Sequence, residues 1–358
     1  MGGVIAPVLV FLLPAHDPRP GIKIRIRFNE IDFLGAILII GAFISLVMAI
    51  SFGGVVYAWN SGQTIGLFVC TGVLWILFST QQILCIGTDR IRRLFPIELF
   101  KSYEMCILFA LTAASITSCF VPIYFLPLYY QFALNNSALE AAVHLLPFVF
   151  VLVTAVILNG VLMGKFGYYM PWYLCGGVLV VIGSALMYTI DLDTSDSKIY
   201  GYSVLIALGT GFFSQASFPI AQAKVGPHQI SAATGFIGSA QVGGMAIALS
   251  VSNAIFLNEA TTKISAALPN AHPESVRAAV SGADGAFLQT LSGDDRNKVL
   301  NAIVDSIRNV FIMVIVAGVL TVCTSVFMKR DKLFIEPAAT TEAETEKKAD
   351  EEKVKETT

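Results

Sequence analysis

Eight long, uninterrupted apolar segments constrain the fold of this chain more than any other feature of its sequence. Each contains about 20 mostly apolar residues, the length that an α-helix needs to cross a hydrocarbon core of roughly 30 Å. The segments cover approximately residues 31–52, 64–86, 106–130, 143–163, 172–189, 201–220, 232–256 and 309–328. The sequence therefore predicts a protein that crosses a membrane several times.

The continuity of these apolar runs distinguishes helices from the strands of a membrane barrel. Barrel strands alternate between apolar and polar residues, whereas each run here is apolar throughout. A single span must also satisfy its backbone hydrogen-bonding groups internally, and an α-helix does so. We therefore predict an all-α, polytopic transmembrane helix bundle.

Composition excludes several classes of protein. Only 13% of the 358 residues are charged and 55% are hydrophobic, whereas an ordinary soluble domain has roughly 25% charged residues. A water-soluble protein of this size could not cover its surface with so few charges. A soluble enzyme and a nucleic-acid-binding protein are therefore excluded, and the lipid bilayer is the first expected partner.

A shorter apolar run stands at the start of the sequence. Residues 2–13 are too few to span a bilayer. The run also lacks the basic n-region of a signal peptide. We interpret residues 1–14 as the last part of a transmembrane helix, and we expect the chain to be truncated at its N-terminus.

Lys and Arg concentrate in alternate connections, and this predicts the orientation of the chain. Positive charges gather on the cytosolic side of membrane proteins, and here they gather in loop 15–30, linker 87–105 and tail 329–358. These three segments are therefore expected to be cytosolic. The tail is also expected to be disordered, because its Glu, Lys, Thr and Ala residues cannot bury enough apolar surface. The large loop 257–307 falls on the non-cytosolic side.

Three stretches outside the predicted spans have helical periodicity. Residues 88–103 combine arginines with apolar residues and predict an amphipathic helix at the membrane surface. In the non-cytosolic loop, residues 273–280 and 294–307 predict two further helices. These two either pack on the rim of the bundle or form a cap that gates or selects substrate.

No ionisable residue lies near the middle of a predicted span. A charged group there costs about 2.5–3.5 kcal/mol on insertion scales, and such residues usually mark function. The ionisable residues nearest the spans lie at or near their ends, where water and headgroups can reach them: Glu30, Asp32, Glu104, His144 and Lys165. The sequence also lacks a nucleophile–base pair and a metal-ligand cluster. We therefore predict no catalytic residue, no metal and no cofactor, and do not expect an enzyme.

Uncharged polar residues are distributed unevenly among the spans. Asn159 lies in the fourth span, Gln215 in the sixth and Gln241 in the seventh. The third span ends near Tyr129 and Gln131. Because lipid penalises unsatisfied amides, these helices are expected to turn such groups towards protein or a wet cavity. Lining a cavity and bonding a neighbouring helix are equally compatible with this pattern.

Several short strings occur in a fixed order along the chain. They are GGVIAP at 2–7, DFLG at 32–35, GGVVYAW at 53–59, RLFP at 93–96, YFLPLYYQ at 124–131, LLPF at 145–148 and GKFG at 164–167. In this order, and with this number of helices, they resemble the fourteen-helix drug:proton antiporter group of the major facilitator superfamily. The resemblance is strongest to fungal multidrug and toxin efflux pumps.

The resemblance implies a domain organisation and a function. Residues 31–86 would be two linker helices, and residues 106–328 the C-terminal six-helix bundle of such a transporter, with the N-terminal bundle missing. The full-length form would export amphipathic drugs, toxins or secondary metabolites by proton antiport, without covalent chemistry. The substrate cavity would include polar residues of the central helices: Tyr129, Gln131, Asn159, Gln215 and Gln241.

Two other functions remain open at this point. A non-transporting membrane protein, acting as partner or regulator of an intact transporter, would account for the missing N-terminal bundle. A membrane enzyme is the third candidate, although the sequence shows no catalytic group for it. The resemblance implies a plasma membrane location, with the vacuolar membrane as the alternative.

Overall fold

The fold consists of α-helices, and the described part of the chain has isolated β-bridges but no regular strand. The computed structural model describes residues 23–90, 92–269 and 293–330, and also Pro7, Gly21, His272, Val276, Val280, Leu291 and Lys332. Its helices, in chain order, are α1 Ile24–Asn29, α2 Phe33–Phe52, α3 Gly62–Leu84, α4 Tyr103–Ala133, α5 Ala138–Phe166, α6 Met170–Met187, α7 Asp196–Gly211, α8 Ser217–Ala223, α9 Ile230–Ala267 and α10 Gly293–Val326. Two short 3-10 helices, Ile97–Lys101 and Pro227–Gln229, precede α4 and α9.

Seven helices of the described part are long and apolar enough to cross a membrane: α2, α3, α4, α5, α6, α9 and α10. They coincide with seven of the eight predicted spans. The prediction of an all-helical protein with several membrane-spanning helices is therefore confirmed.

The predicted span over residues 201–220 is not a single helix, and that prediction is wrong. The structure has α7, then a turn over residues 212–216, then the short helix α8. Pro219 cannot donate a backbone hydrogen bond to the carbonyl group of Gln215, and its ring disfavours a continuous helix there. Gly209 and Gly211 further lower the helical propensity of this stretch.

Local sequence explains where the spanning helices begin and end. The Asp32 carboxylate caps α2 by accepting a hydrogen bond from the Gly35 amide at 2.8 Å. Ser137 and Glu140 form a reciprocal capping box at the start of α5. Gly167 ends α5 in the left-handed conformation, with a φ of 74°, which glycine adopts without strain.

The helices pack as a main bundle with a helical hairpin on one side. We call α4–α10 the main bundle, in which α4 contacts α5, α9 and α10, α7 packs against α5 and α6, and α6 packs against α10. We call α2, α3 and the turn between them the linker hairpin. Its two helices pack against each other, and α2 packs against α9.

The predicted loop 257–307 is partly an extension of two spanning helices. Helix α9 continues to Ala267, and α10 begins at Gly293, so the predicted surface helix over 294–307 is the first part of α10. Its apolar face, with Val299 and Ile303, is buried together with Ile264 of α9. Most of the predicted helix over 273–280 lies outside the described residues.

The predicted amphipathic helix over residues 88–103 is absent from the described part of that segment. The chain instead makes turns and then the 3-10 helix Ile97–Lys101. Arg93, expected at the lipid surface, has a side chain that is only 5% exposed and pairs with Glu98. One of its guanidinium nitrogens also donates to the carbonyl oxygen of Gln82 at 3.2 Å. Contacts with protein therefore replace the expected contacts with headgroups.

Three predicted segments lie wholly or mostly outside the described residues. They are the partial helix over 1–14, the first part of loop 15–30, and the tail over 329–358. Within loop 15–30, the described part contains the short helix α1.

Candidate substrate cavity

Four elements of the main bundle carry the predicted cavity residues: α4, α5, the interruption between α7 and α8, and α9. Helices α5 and α7 approach closely at Gly211, because a Cβ there would collide with the Cβ of Ala155. Asn159 follows Ala155 by one helical turn, and Gln215 follows Gly211 by four residues. His144 of α5 contacts Tyr200 of α7 in the same register as Ala155 contacts Gly211, so the two helices run parallel and both predicted residues lie beyond this contact in the same direction.

The two predicted residues of α4 have different surroundings. Tyr129 is 1% exposed, and its hydroxyl group donates a hydrogen bond to the carbonyl oxygen of Asp191 at 2.9 Å. In this conformation Tyr129 therefore holds the connection between α6 and α7. Gln131 is exposed, and its amide donates to the carbonyl oxygen of Pro127, one turn earlier in the same helix.

Asn159 is the most deeply buried of the predicted amides. It is 4% exposed, and its side-chain nitrogen has no hydrogen-bond partner among the described residues. The hydroxyl group of Thr210, at the end of α7, is likewise buried and without a partner in the described part of the chain. A buried donor without a partner is costly, so both groups are suited to bind a polar group that enters the bundle.

The two predicted glutamines are more accessible. Gln215 is exposed within the interruption between α7 and α8, and Gln241 is half-buried on α9. Within the described part of the chain, no hydrogen bond joins any two of the five predicted residues. The structure thus brings Asn159 and Gln215 to neighbouring helix segments, but it does not assemble the five residues into one bonded cluster.

The interruption is held on both sides by α6. A Cβ on Gly209 would lie 2.6 Å from the carbonyl oxygen of Gly176, so α6 and α7 touch through their backbones. Beyond the interruption, the hydroxyl groups of Tyr173 on α6 and Ser217 on α8 share a hydrogen bond of 2.8 Å. The position of Gln215 is therefore fixed by contacts before and after it.

An aromatic stack that the sequence did not predict joins α4, α5 and α7. The rings of Tyr130 and His144 are parallel within 14°, with centroids 4.2 Å apart. The Nδ1 atom of His144 also shares a hydrogen bond with the Tyr200 hydroxyl group. The sequence predicts His144 at or near a span end, within reach of water. Its position as the seventh residue of α5, with apolar residues on both sides, indicates a protein partner.

Charged groups lie at the end of the main bundle that is predicted to be cytosolic. Glu104, at the start of α4, pairs with Lys224 at 3.4 Å and with Lys329 at 2.9 Å.

The environment of Asp32, at the start of the linker hairpin, differs from the prediction of a water-accessible span end, because Asp32 is only 4% exposed. Its carboxylate accepts four hydrogen bonds from protein groups, which replace the expected water.

Within the described part of the chain, no three His, Cys, Asp or Glu side chains are grouped so that they could hold a metal ion. The five residues predicted to line the cavity carry amide and phenol groups. Such groups can bind and orient a small molecule through hydrogen bonds, whereas covalent chemistry requires an activated nucleophile or a proton-transfer pair.

Comparison with known proteins identifies relatives that match nearly the whole chain. An MFS-type transporter, pgmG, of Aspergillus terreus is 50% identical over 332 residues, which cover 93% of this chain and 59% of the relative. The chain is homologous to fungal MFS-type transporters and efflux pumps. The phomenoic acid biosynthesis cluster MFS-type transporter of Leptosphaeria maculans is 39% identical, with 95% of this chain and 57% of the relative covered. The efflux pump alnA of Emericella nidulans is 40% identical, with 95% and 62% covered.

The match covers only part of each relative. This chain spans about 60% of the length of these curated relatives. No protein-family model matches the chain. The homology and the membrane-capable helices together establish a multi-pass helical membrane protein related to MFS-type transporters.

Proposed function

We propose that this chain is the C-terminal portion of a major facilitator efflux transporter that exports amphipathic small molecules. The observation that carries the proposal is homology over more than nine-tenths of the chain to proteins named as MFS-type transporters and efflux pumps. The matched relatives are longer than this chain, as expected if a further bundle belongs to the working transporter. The helix count and the order of the motifs support the fourteen-helix type, with α2 and α3 as its linker helices.

The chemistry of the proposed cavity favours substrates with both apolar surface and neutral polar groups. Asn159, Gln215 and Gln241 offer amide groups, and Thr210 offers a hydroxyl group without a partner among the described residues. Aromatic residues of α4, including Tyr129, would add apolar contact area. The name of one relative connects it with a phomenoic acid biosynthesis cluster, which supports secondary metabolites as the substrate class. The chain would act without a cofactor and without catalysis.

Coupling and location follow from the proposed family. Proton antiport would be driven by a carboxylate outside the described residues, because no described carboxylate lies near the middle of a predicted span; Asp32, for example, lies at the start of α2. The clustering of Lys and Arg supports a cytosolic C-terminus. The plasma membrane is the proposed location, since efflux from the cell requires it, and the vacuolar membrane is the alternative destination.

Exchange with a relative tests the proposal. In the Aspergillus terreus relative, the matched segment would be replaced by this chain, so that the rest of the relative supplies the remaining part of the transporter. Yeast cells without their own efflux pumps would express this chimera, and the accumulation of a fluorescent amphipathic dye would be measured with and without a protonophore. We expect lower accumulation that the protonophore abolishes. A chimera that reaches the membrane yet leaves accumulation unchanged would contradict an efflux function for this segment.

The same chimera tests the cavity residues. Gln215→Leu and Gln241→Leu each remove an amide, and a lost hydrogen bond of about 1 kcal/mol corresponds to roughly a fivefold loss of affinity. Gln63→Leu makes the same change at an exposed position at the start of α3. We expect the first two substitutions to reduce export at equal expression and the third to leave it unchanged. Equal export by all three variants would remove Gln215 and Gln241 from the cavity.

A further inference from the structure

The buried Asp32 carboxylate joins three separate parts of the chain. One of its oxygens accepts hydrogen bonds from the Gly35 amide at 2.8 Å and from the Gln81 side chain at 3.0 Å. The other accepts from the Gln82 side chain at 2.7 Å and from the Leu94 amide at 3.3 Å. The start of α2, the end of α3 and the segment that leads into α4 are thereby held together.

The space around this carboxylate is closely filled. A Cβ on Gly35 would lie 2.5 Å from Asp32 and 2.6 Å from the side-chain nitrogen of Gln82. Gln82 also accepts a hydrogen bond from the amide of Phe95 at 2.9 Å, through its side-chain oxygen. We call this set of contacts the Asp32 joint. Because each carboxylate oxygen accepts two donors, the joint depends on a carboxylate and not merely on a group of that shape.

A second joint lies at the opposite end of the linker hairpin. Asn258 of α9 donates from its side-chain nitrogen to the carbonyl oxygen of Gly53 at 3.3 Å. The next residue, Gly54, has a φ of 75°, and a Cβ there would collide with the side-chain oxygen of Asn258. The Trp59 side chain covers the same turn, because a Cβ on Gly53 would collide with its ring. We call these contacts the Asn258 joint.

Apolar contacts connect the hairpin to the main bundle between the two joints. A Cβ on Gly243 of α9 would lie 3.0 Å from the ring of Phe43 on α2. Near the Asp32 joint, the ring of Phe95 has its centroid 6.5 Å from that of Phe78 on α3 and 5.5 Å from that of Phe236 on α9. Helix α2 therefore contacts α9 near its middle, and Phe95 connects α3 to α9 near the Asp32 joint.

From these contacts we infer that the linker hairpin is a fixed part of the main bundle and moves with it as one body. Displacing the hairpin would require the loss of both joints and of the α2–α9 contact at once. The hairpin then forms a permanent outer wall over α9 instead of a flexible connection. The attachment of the hairpin to the bundle does not depend on what the protein transports.

Distances between spin labels test the inference in the full chain. The six cysteines would be replaced, and the protein would be placed in lipid nanodiscs. One pair of labels, at Val69 of α3 and Val316 of α10, reports the position of the hairpin relative to the bundle. A second pair, at Val153 of α5 and Val316, reports the bundle alone. All three positions are at least 50% exposed.

We expect one narrow distance distribution from each pair of labels. A broad or two-component distribution from the hairpin pair alone would overturn the inference, whether or not any variant folds.

Variants of the joints, each with a matched control, give the second arm of the test. Asp32→Asn replaces one carboxylate oxygen by an NH2 group, which would face two hydrogen-bond donors whichever way the amide is turned. Asp89→Asn makes the same change at a side chain that is 75% exposed and is the matched control. In Gly54→Ala, the added Cβ would collide with Asn258. Gly87 has the same φ of 75°, and a Cβ added there would have nothing within 4 Å, so Gly87→Ala is the matched control. We expect both joint variants to broaden or shift the hairpin distribution, while the controls and the bundle pair stay unchanged. Joint variants that fold and match their controls would show that the joints do not fix the hairpin.

Discussion

Gly176 of α6 and Gly209 of α7 touch through their backbones, and a Cβ on either would lie 2.6 Å from the carbonyl oxygen of the other. Membrane helices associate closely where small residues let their backbones approach. This contact fixes the end of α7 immediately before its interruption. It therefore sets the position from which Gln215 projects.

Substitution of Gly209 by Ala tests this contact. The added methyl group meets backbone atoms, which cannot move aside as a side chain would, so the helices must separate. We expect a destabilisation of about 1–3 kcal/mol, as is typical of overpacking. The midpoint of thermal unfolding in detergent measures it.

Gly201→Ala is the matched control, because Gly201 lies in the same helix with nothing within 4 Å. It should leave the midpoint unchanged or raise it, since Ala has the higher helix propensity by about 1 kcal/mol. If the two variants unfold at the same temperature, the backbone contact does not hold α6 and α7 together.

The hydrogen bond between Tyr173 and Ser217 holds α8 on the far side of the interruption. Both residues are at most 1% exposed, so Tyr173→Phe and Ser217→Ala should each cost about 1 kcal/mol. The double variant should cost little more than either single one, because the bond can be lost only once. Tyr103→Phe, at a residue that is 61% exposed, is the control. Additive losses in the cycle would mean that the two hydroxyl groups are not coupled.

The stack of Tyr130, His144 and Tyr200 predicts a separable contribution from ring stacking. His144→Phe keeps a planar ring against Tyr130 but loses the hydrogen bond to Tyr200, whereas His144→Ala loses both. An aromatic pair contributes about 0.5–1.5 kcal/mol beyond its buried area. We therefore expect the Ala variant to unfold at a lower temperature than the Phe variant. Equal midpoints would show that the parallel rings of Tyr130 and His144 contribute no stability of their own.

The sequence predicts the spanning helices well because length and hydropathy decide them locally. The interruption at 212–216 is different, since Pro219 lies within an apolar run and hydropathy does not register a missing backbone donor. The burial of Asp32 could not be foreseen either. Its partners Gln81, Gln82 and Leu94 lie 49 to 62 residues further along the chain, and only the docking of α2 on α3 brings them together.

The candidate site shows the same division between local and long-range information. The amides of Asn159, Gln215 and Gln241 could be singled out because an amide in an apolar helix is unusual at any position. The commitment of the Tyr129 hydroxyl to the carbonyl group of Asp191 depends on how α4 meets the connection between α6 and α7. Composition along a single helix does not contain that contact, so the partner of the Tyr129 hydroxyl group could not be predicted.

The pairing of Glu104 with Lys224 and Lys329 provides a final test, on the electrostatics at one end of the bundle. The Glu104 side chain is 19% exposed and that of Lys224 is 23% exposed, so water screens this pair less than a surface pair. Lys298 and Asp295 form an ion pair of 3.1 Å with side chains that are 54% and 38% exposed, and pairs of that kind contribute roughly 0–1 kcal/mol. Glu104→Gln leaves two lysines facing each other and should therefore lower the unfolding midpoint more than Lys298→Gln.

The unfolding midpoints of both variants would be compared in low and in high salt. The effect of Lys298→Gln should vanish in high salt, while that of Glu104→Gln should persist in part, because only exposed charges are fully screened. If high salt abolishes both effects equally, Glu104 behaves as a surface residue and does not hold α4 to α8 and α10.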